Sequence, residues 1–215
     1  MNKYLREPIN GLTHMTGAIL SLIGLITMII KVIYTNGTML EYFSVILFGI
    51  SMILLYSASA TYHSVIADST VIKRLKKLDH SMIFLLITGS YAPFCLLSLK
   101  NSIGNNLFLA VGICAVIGII FKLFWVTCPR WLSSIMYISI GWFAIFAIYP
   151  LSKVLSTGGT FLLILGGILY TIGGIIYALK KDKIKIGSFG SHEIFHIFIM
   201  LGSLSHFFCV LFYVL

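Results

Sequence analysis

Apolar residues run along this chain in seven long blocks, separated by short clusters of glycine, asparagine, proline, serine and charged residues. A bilayer core requires about 20 apolar residues per spanning helix. The blocks at 11–34, 41–66, 79–99, 104–126, 131–150, 158–179 and 192–215 meet that length. The breaks fall where turn formers stand: Asn36-Gly37 after the first block, Asn101, Gly104 and Asn105 after the third, Pro129 after the fourth. Pro150 and then Gly158-Gly159 mark the fifth connection. The pattern predicts an all-α polytopic membrane protein, a seven-transmembrane helix bundle forming one domain over 1–215. Pro93 predicts a kink within the third span. Gly159, Gly166 and Gly173 are spaced to keep small residues on one face of the sixth span, where a neighbouring backbone can approach closely.

Composition agrees. The 215 residues are 59% hydrophobic and 10% charged, with a mean hydropathy of +1.04, whereas soluble domains hold about 25% charged residues. A net charge of +9 would suggest a nucleic-acid partner in a soluble protein, but its distribution excludes nucleic acid here. Lys3 and Arg6, then Lys73, Arg74, Lys76 and Lys77, then Arg130, then Lys180, Lys181, Lys183 and Lys185 put eleven basic residues on one side. Lys100 and Lys153 are the two on the other. The positive-inside rule then predicts a cytoplasmic N-terminus and an outside C-terminus in the cell membrane, with the basic clusters as headgroup anchors and membrane lipids as the partners. Charge does precede the first apolar block, but no small-residue cleavage site follows it, so that block is an uncleaved helix. Cys95, Cys114, Cys128 and Cys209 form no C-x-x-C pair, which argues against a disulfide framework or thiolate ligation. Nothing in the sequence sets the oligomeric state.

The chemistry lies in the histidines. His192-Glu193-Ile194-Phe195-His196 puts two imidazoles four residues apart, hence on one helix face and able to share a metal ion. The spelling also fits H-E-x-x-H, in which Glu193 would be the general base of a metalloprotease. The predicted topology brings His63, at the end of span two, to the same leaflet, together with Asp79 at the start of span three and His14 in the first turn of span one. Ser59 precedes His63 by four residues and shares its face. Three imidazoles with one open position is the make-up of a catalytic zinc site, whereas a structural site closes with four protein ligands. His63, His192 and His196 are therefore the candidate Zn²⁺ ligands. Asp79 is either a catalytic partner or a simple N-terminal cap of span three. His206 lies ten residues past His196, about 15 Å deeper, and reads as an interhelical hydrogen-bonding residue. His80 points about 100° from Asp79 and has no assigned role.

These residues carry a resemblance. S-x-x-x-H late in span two, K-L-D at span three and S-H-x-x-F-H at span seven resemble the hemolysin III family, the bacterial branch of the progestin and adipoQ receptor superfamily. Glu7-Pro8-Ile9-Asn10-Gly11-Leu12-Thr13-His14, Lys77-Leu78-Asp79-His80-Ser81 and Gly89-Ser90-Tyr91-Ala92-Pro93-Phe94 support it across nearly the whole chain. The resemblance implies that His63, His192 and His196 bind zinc and that Ser59 and Asp79 hold or activate its water. Animal receptor members are reported to hydrolyse the amide of ceramide, alkaline ceramidases share the five-residue pattern, and bacterial members carry a cytolytic label. Receptor members can have Gln where this chain has Glu193, so the family pattern does not require a carboxylate there. This chain lacks the long N-terminal soluble region of the animal receptors.

The leading expectation is a zinc-dependent hydrolase of an acyl-lipid amide or ester, with Asp79 moving the proton and Ser59 holding the water or oxyanion. The alternatives are a membrane-lytic or channel-forming protein with structural zinc, an intramembrane H-E-x-x-H protease, and a lipid receptor.

Overall fold

The computed structural model describes residues 4–99, 102–179, 185–186 and 189–215. Among the described residues the chain forms seven helical spans. They are α1 (Pro8–Tyr34), α2 (Met39–Ser64), α3 (Ser69–Ala92) continued by a π-helical turn (Pro93–Leu99), and α4 (Ser102–Phe124). Then come α5 (Arg130–Gly141) and α6 (Ile145–Val154), joined by a 3-10 turn into one span, α7 (Thr157–Ala178), and α8 (Ser191–Cys209). A two-residue ladder, β1 (Lys185–Ile186) against β2 (Phe189–Gly190), precedes α8. Of the residues used to orient the chain, Lys3, Lys100, Lys180, Lys181 and Lys183 lie outside the described residues, as does Asn101.

The helix ends follow local chemistry. Asn36, at φ 50°, turns the chain after α1. Thr38 and Glu41 form a capping box on α2. The start of α3 departs most from the hydropathy reading. Asp68 accepts hydrogen bonds from the Thr70 and Val71 amides at 2.8 and 3.1 Å, so α3 begins at Ser69 rather than near residue 79. Lys73, Arg74, Lys76 and Lys77 consequently lie within the helix. Asp79 is not its cap; it sits almost three turns in, and the capping alternative is ruled out. Hydropathy registers where a helix enters hydrocarbon, and long basic side chains let its first turns stand above that level. Pro150 likewise does not end its span, because α6 continues to Val154. Pro93, which has no N–H to donate, coincides with the change to the π-helical turn.

Packing joins α1 to α2, α2 to α3, α3 to α4, α5 to α7, α7 to α8, and α8 back to α1. The outward faces carry large apolar residues, such as Ile19, Ile23 and Ile30 on α1. Small and polar residues turn inward, as packing in lipid favours. Glycines mark the closest approaches. A Cβ on Gly89 of α3 would meet Ser51 Oγ at 2.1 Å, and one on Gly118 of α4 would meet the Phe84 ring at 2.3 Å, whereas one on Gly112 would meet nothing within 4 Å. Gly89→Ala should therefore lose about 1–3 kcal/mol by overpacking. Gly112→Ala should be neutral or gain up to about 1 kcal/mol of helix propensity. Reversible unfolding in mixed micelles measures both, and equal effects would remove Gly89 as a packing point.

Candidate metal centre

Three helix ends, the start of α1, the end of α2 and the start of α8, meet at one end of the bundle. His63 lies in the last turn of α2, His192 in the first turn of α8 and His196 one turn on. One nitrogen from each lies within 4.8 Å of the others. The Nε2 atoms of His63 and His192 are 3.3 Å apart, and the three ring centroids are separated by 4.6–5.0 Å. His63 and His196 are buried. The group could hold a metal ion.

The donor set fits that use. Glu7, just ahead of α1, places Oε2 2.7 Å from His63 Nδ1. A carboxylate takes the proton-bearing nitrogen, leaving the Nε2 lone pair directed at the other rings, as a metal-binding histidine requires. Glu7 is fixed in turn. Its backbone amide donates to the His63 carbonyl at 2.9 Å, and the Asn10 amide donates to Oε2 at 3.1 Å. The Arg6 guanidinium, bonded to the Tyr62 carbonyl, stacks over the Tyr62 ring at 4.3 Å. The His63 hydrogen bond is the main cause that holds the Glu7 carboxyl down to about 2. A depressed carboxyl stabilises the fold above its ordinary range near 4.5, and that contribution disappears as pH falls toward 2.

Glu193 has a different task. Its Oε2 accepts from the Gly190 amide at 2.9 Å, capping α8, and its Oε1 accepts from Asn10 Nδ2 at 3.2 Å. Both oxygens serve the helix start and the tie to α1, so the carboxylate within H-E-x-x-H acts as a cap.

Asp79 and Ser59 are both buried, line one cavity with His14, His192 and His196, and interact with each other. The cavity, about 350 Å³, runs between the helices from this polar end, past apolar residues of α3, α5, α6 and α7, to His206. His206 donates Nε2–H to the Leu163 carbonyl at 3.2 Å, which makes it the expected interhelical bond. His80 lines the same cavity and meets the Tyr137 hydroxyl at 3.3 Å. His14 lies within the site, its ring stacked on that of His196 at 3.6 Å between centroids and edge-on to Tyr56 at 5.1 Å.

Sequence reasoning found the three histidines, Ser59 and Asp79, but gave Glu7 and His14 no role. Glu7 and Asn10 are three apart and His14 follows four later, so the shared face of the α1 start was a readable signal.

The profile of the Haemolysin-III related family matches residues 2–207. The chain is 42% identical over 216 residues to Hemolysin-3 of Bacillus cereus, covering 100% of this chain and 95% of that protein. It is 41% identical over 207 residues to a Hemolysin-3 homolog of Bacillus subtilis (strain 168), covering 96% and 93%. An ADIPOR-like receptor of Saccharomyces cerevisiae is 26% identical over 196 residues, covering 81% and 60%.

Removing the carboxylate that orients His63 should weaken divalent-metal binding without unfolding the bundle. Glu7→Ala is expected to lower affinity by about 10- to 100-fold in a chelator-competition titration. Affinity equal to wild type would deny Glu7 that part.

Proposed function

The chain belongs to the Haemolysin-III related family, and from that premise and the histidine cluster we propose a zinc-dependent hydrolase acting on an amide or ester of an acyl lipid. One observation carries the reading: three histidines converge at the polar end of an apolar cavity that also exposes a buried carboxylate and hydroxyl. His63, His192 and His196 are the ligands in this reading, and three imidazoles leave a position open. Zinc bound there would lower the pKa of a water toward 7 and polarise a substrate carbonyl.

The remaining roles belong to the chain. Asp79 accepts a proton from the attacking water and returns it to the leaving amine or alcohol. Ser59 orients the Asp79 carboxyl or donates to the oxyanion as it forms. The apolar cavity takes an acyl chain and excludes bulk water. Gly141 of α5 and Gly167 of α7 both line the cavity, and a Cβ on either would meet nothing within 4 Å. Trp142 Nε1 donates to Thr171 Oγ1 at 3.1 Å. A lipid chain can therefore reach the cavity sideways, while its headgroup and scissile bond stay at the histidine end.

Among the described basic side chains, Arg6, Lys73, Arg74, Lys76, Lys77, Lys122 and Arg130 stand at that end, and Lys31 and Lys153 at the other. This asymmetry supports a cytoplasmic histidine end. A lytic activity is the second reading, supported by the Hemolysin-3 names of the Bacillus relatives.

Purified protein should contain about one zinc per chain and hydrolyse a lipid amide or ester in mixed micelles. Asp79→Ala is expected to keep the metal and lose roughly 100- to 10,000-fold in rate. The His63→Ala/His192→Ala double variant should lose both metal and activity, and Glu193→Gln should retain activity. Metal that stays bound in the double variant would sink the site. Liposome lysis undiminished by Asp79→Ala would favour the lytic reading instead.

A further inference from the structure

At the histidine end a groove lies between α3 and α4. The two helices touch where Gly118 faces the Phe84 ring, with no room for a Cβ. Above that contact the groove opens toward the membrane surface, lined by Ile119 and Leu123 on α4 and by Leu78 and Met82 on α3. The buried Lys122 at the end of α4 donates to Ser133 Oγ at 2.5 Å and to Cys128 Sγ at 3.1 Å, holding that end toward α5.

Two cations stand at the mouth of the groove. Arg74 and Lys77 lie three residues apart on α3, and Ser81 follows four later on the same face. Ser81 lines the groove, is 3% exposed, and its hydroxyl has no hydrogen-bond partner. A buried hydroxyl without a partner in an apolar setting carries a cost that an acceptor arriving from the membrane would remove. From the surface inward α3 presents cation, cation, hydroxyl and then Met82, with Leu123 and Ile119 of the antiparallel α4 forming the apolar wall alongside. The step from Lys77 to Ser81 is about 6 Å. A phospholipid presents the same order from surface to core: an anionic phosphate, an ester carbonyl, an acyl chain. Basic pockets between transmembrane helices are known to take such headgroups.

We propose that this α3–α4 groove binds one anionic phospholipid, with its phosphate on Arg74 and Lys77, an ester carbonyl accepting from Ser81, and an acyl chain along Ile119 and Leu123. The groove lies on the opposite side of α3 from the cavity that Asp79 lines, so this lipid is a resident of the protein's surface and not the substrate proposed above.

Native mass spectrometry of protein exchanged into mixed micelles tests this, with phosphatidylglycerol and phosphatidylcholine as probes. Wild type should retain one phosphatidylglycerol that phosphatidylcholine does not displace. The Arg74→Gln/Lys77→Gln double variant should lose retention roughly thirtyfold. Ile119→Trp, which fills the trough and leaves both cations in place, should lose it as well. Lys73→Gln, which removes an exposed charge outside the groove, should behave as wild type. Far-UV circular dichroism should report unchanged helix content in each variant. Any of three results overturns the proposal: equal retention of the two lipids, retention unchanged in both groove variants, or a loss in Lys73→Gln matching that of the double variant. Displacement by inorganic phosphate would also overturn it, because the site would then be one for a soluble anion.

Discussion

An imidazole buried in a helix bundle has two nitrogens to satisfy, and whichever one receives a hydrogen-bond acceptor decides what the other can do. At His63 that acceptor is Glu7, 2.7 Å from Nδ1. The contact does more than set a tautomer. It draws the segment before α1 onto the last turn of α2, where Glu7 and Arg6 also donate backbone amides to the His63 and Ser64 carbonyls. Asn10 extends the tie to Glu193, and so to the first turn of α8 that carries His192 and His196. Three helix ends distant in sequence are held in register by one carboxylate, one amide and one capping glutamate. The spacing of the histidines depends on that register.

The rest of the bundle follows from the solvent it meets. Outside, apolar side chains face lipid and gain little from one another, so the helices hold together by close backbone approach and by polar groups turned inward. Tyr56, Tyr170 and Ser203 show the second device, with the two tyrosine hydroxyls 2.6 and 2.8 Å from one serine oxygen. Gly89 and Gly118 show the first. Where these close contacts end, between α3 and α4 near the surface and between α5 and α7 along the cavity, the helices leave open space.

The seven spans were legible because hydrocarbon thickness imposes a length that composition cannot conceal. The start of α3 was not, because its first turns are basic and stand clear of the hydrocarbon. Asp68-Ser69-Thr70, an N-cap signature, contained the information that hydropathy missed. At the site, spacing and depth were enough for His63, His192 and His196. Glu7 and His14 depended on how α1 seats against α2 and α8, which is set by tertiary contact and not by any local pattern. Glu193 shows the opposite hazard. Its place inside a known motif suggested a catalytic base, while its position three residues into a helix gave it a simpler task.

Charge balance gives a separate reason to regard Glu7 and Asp79 as parts of one site. A divalent ion among three neutral imidazoles carries two positive charges into a low-dielectric interior, where uncompensated charge is expensive. Glu7 reaches the cluster through His63, and Asp79 lines the cavity together with His192 and His196. Each carries one negative charge when ionised, and Arg6 balances part of that on Glu7. Glu193 has both oxygens engaged elsewhere, and Arg6 lies 3.8 Å from the other oxygen of Glu7. A site meant only to fasten helices together would gain most from a fourth protein ligand and a closed shell. This one has three imidazoles, a carboxylate on either side and a cavity in front, the arrangement that the hydrolase proposed above would use.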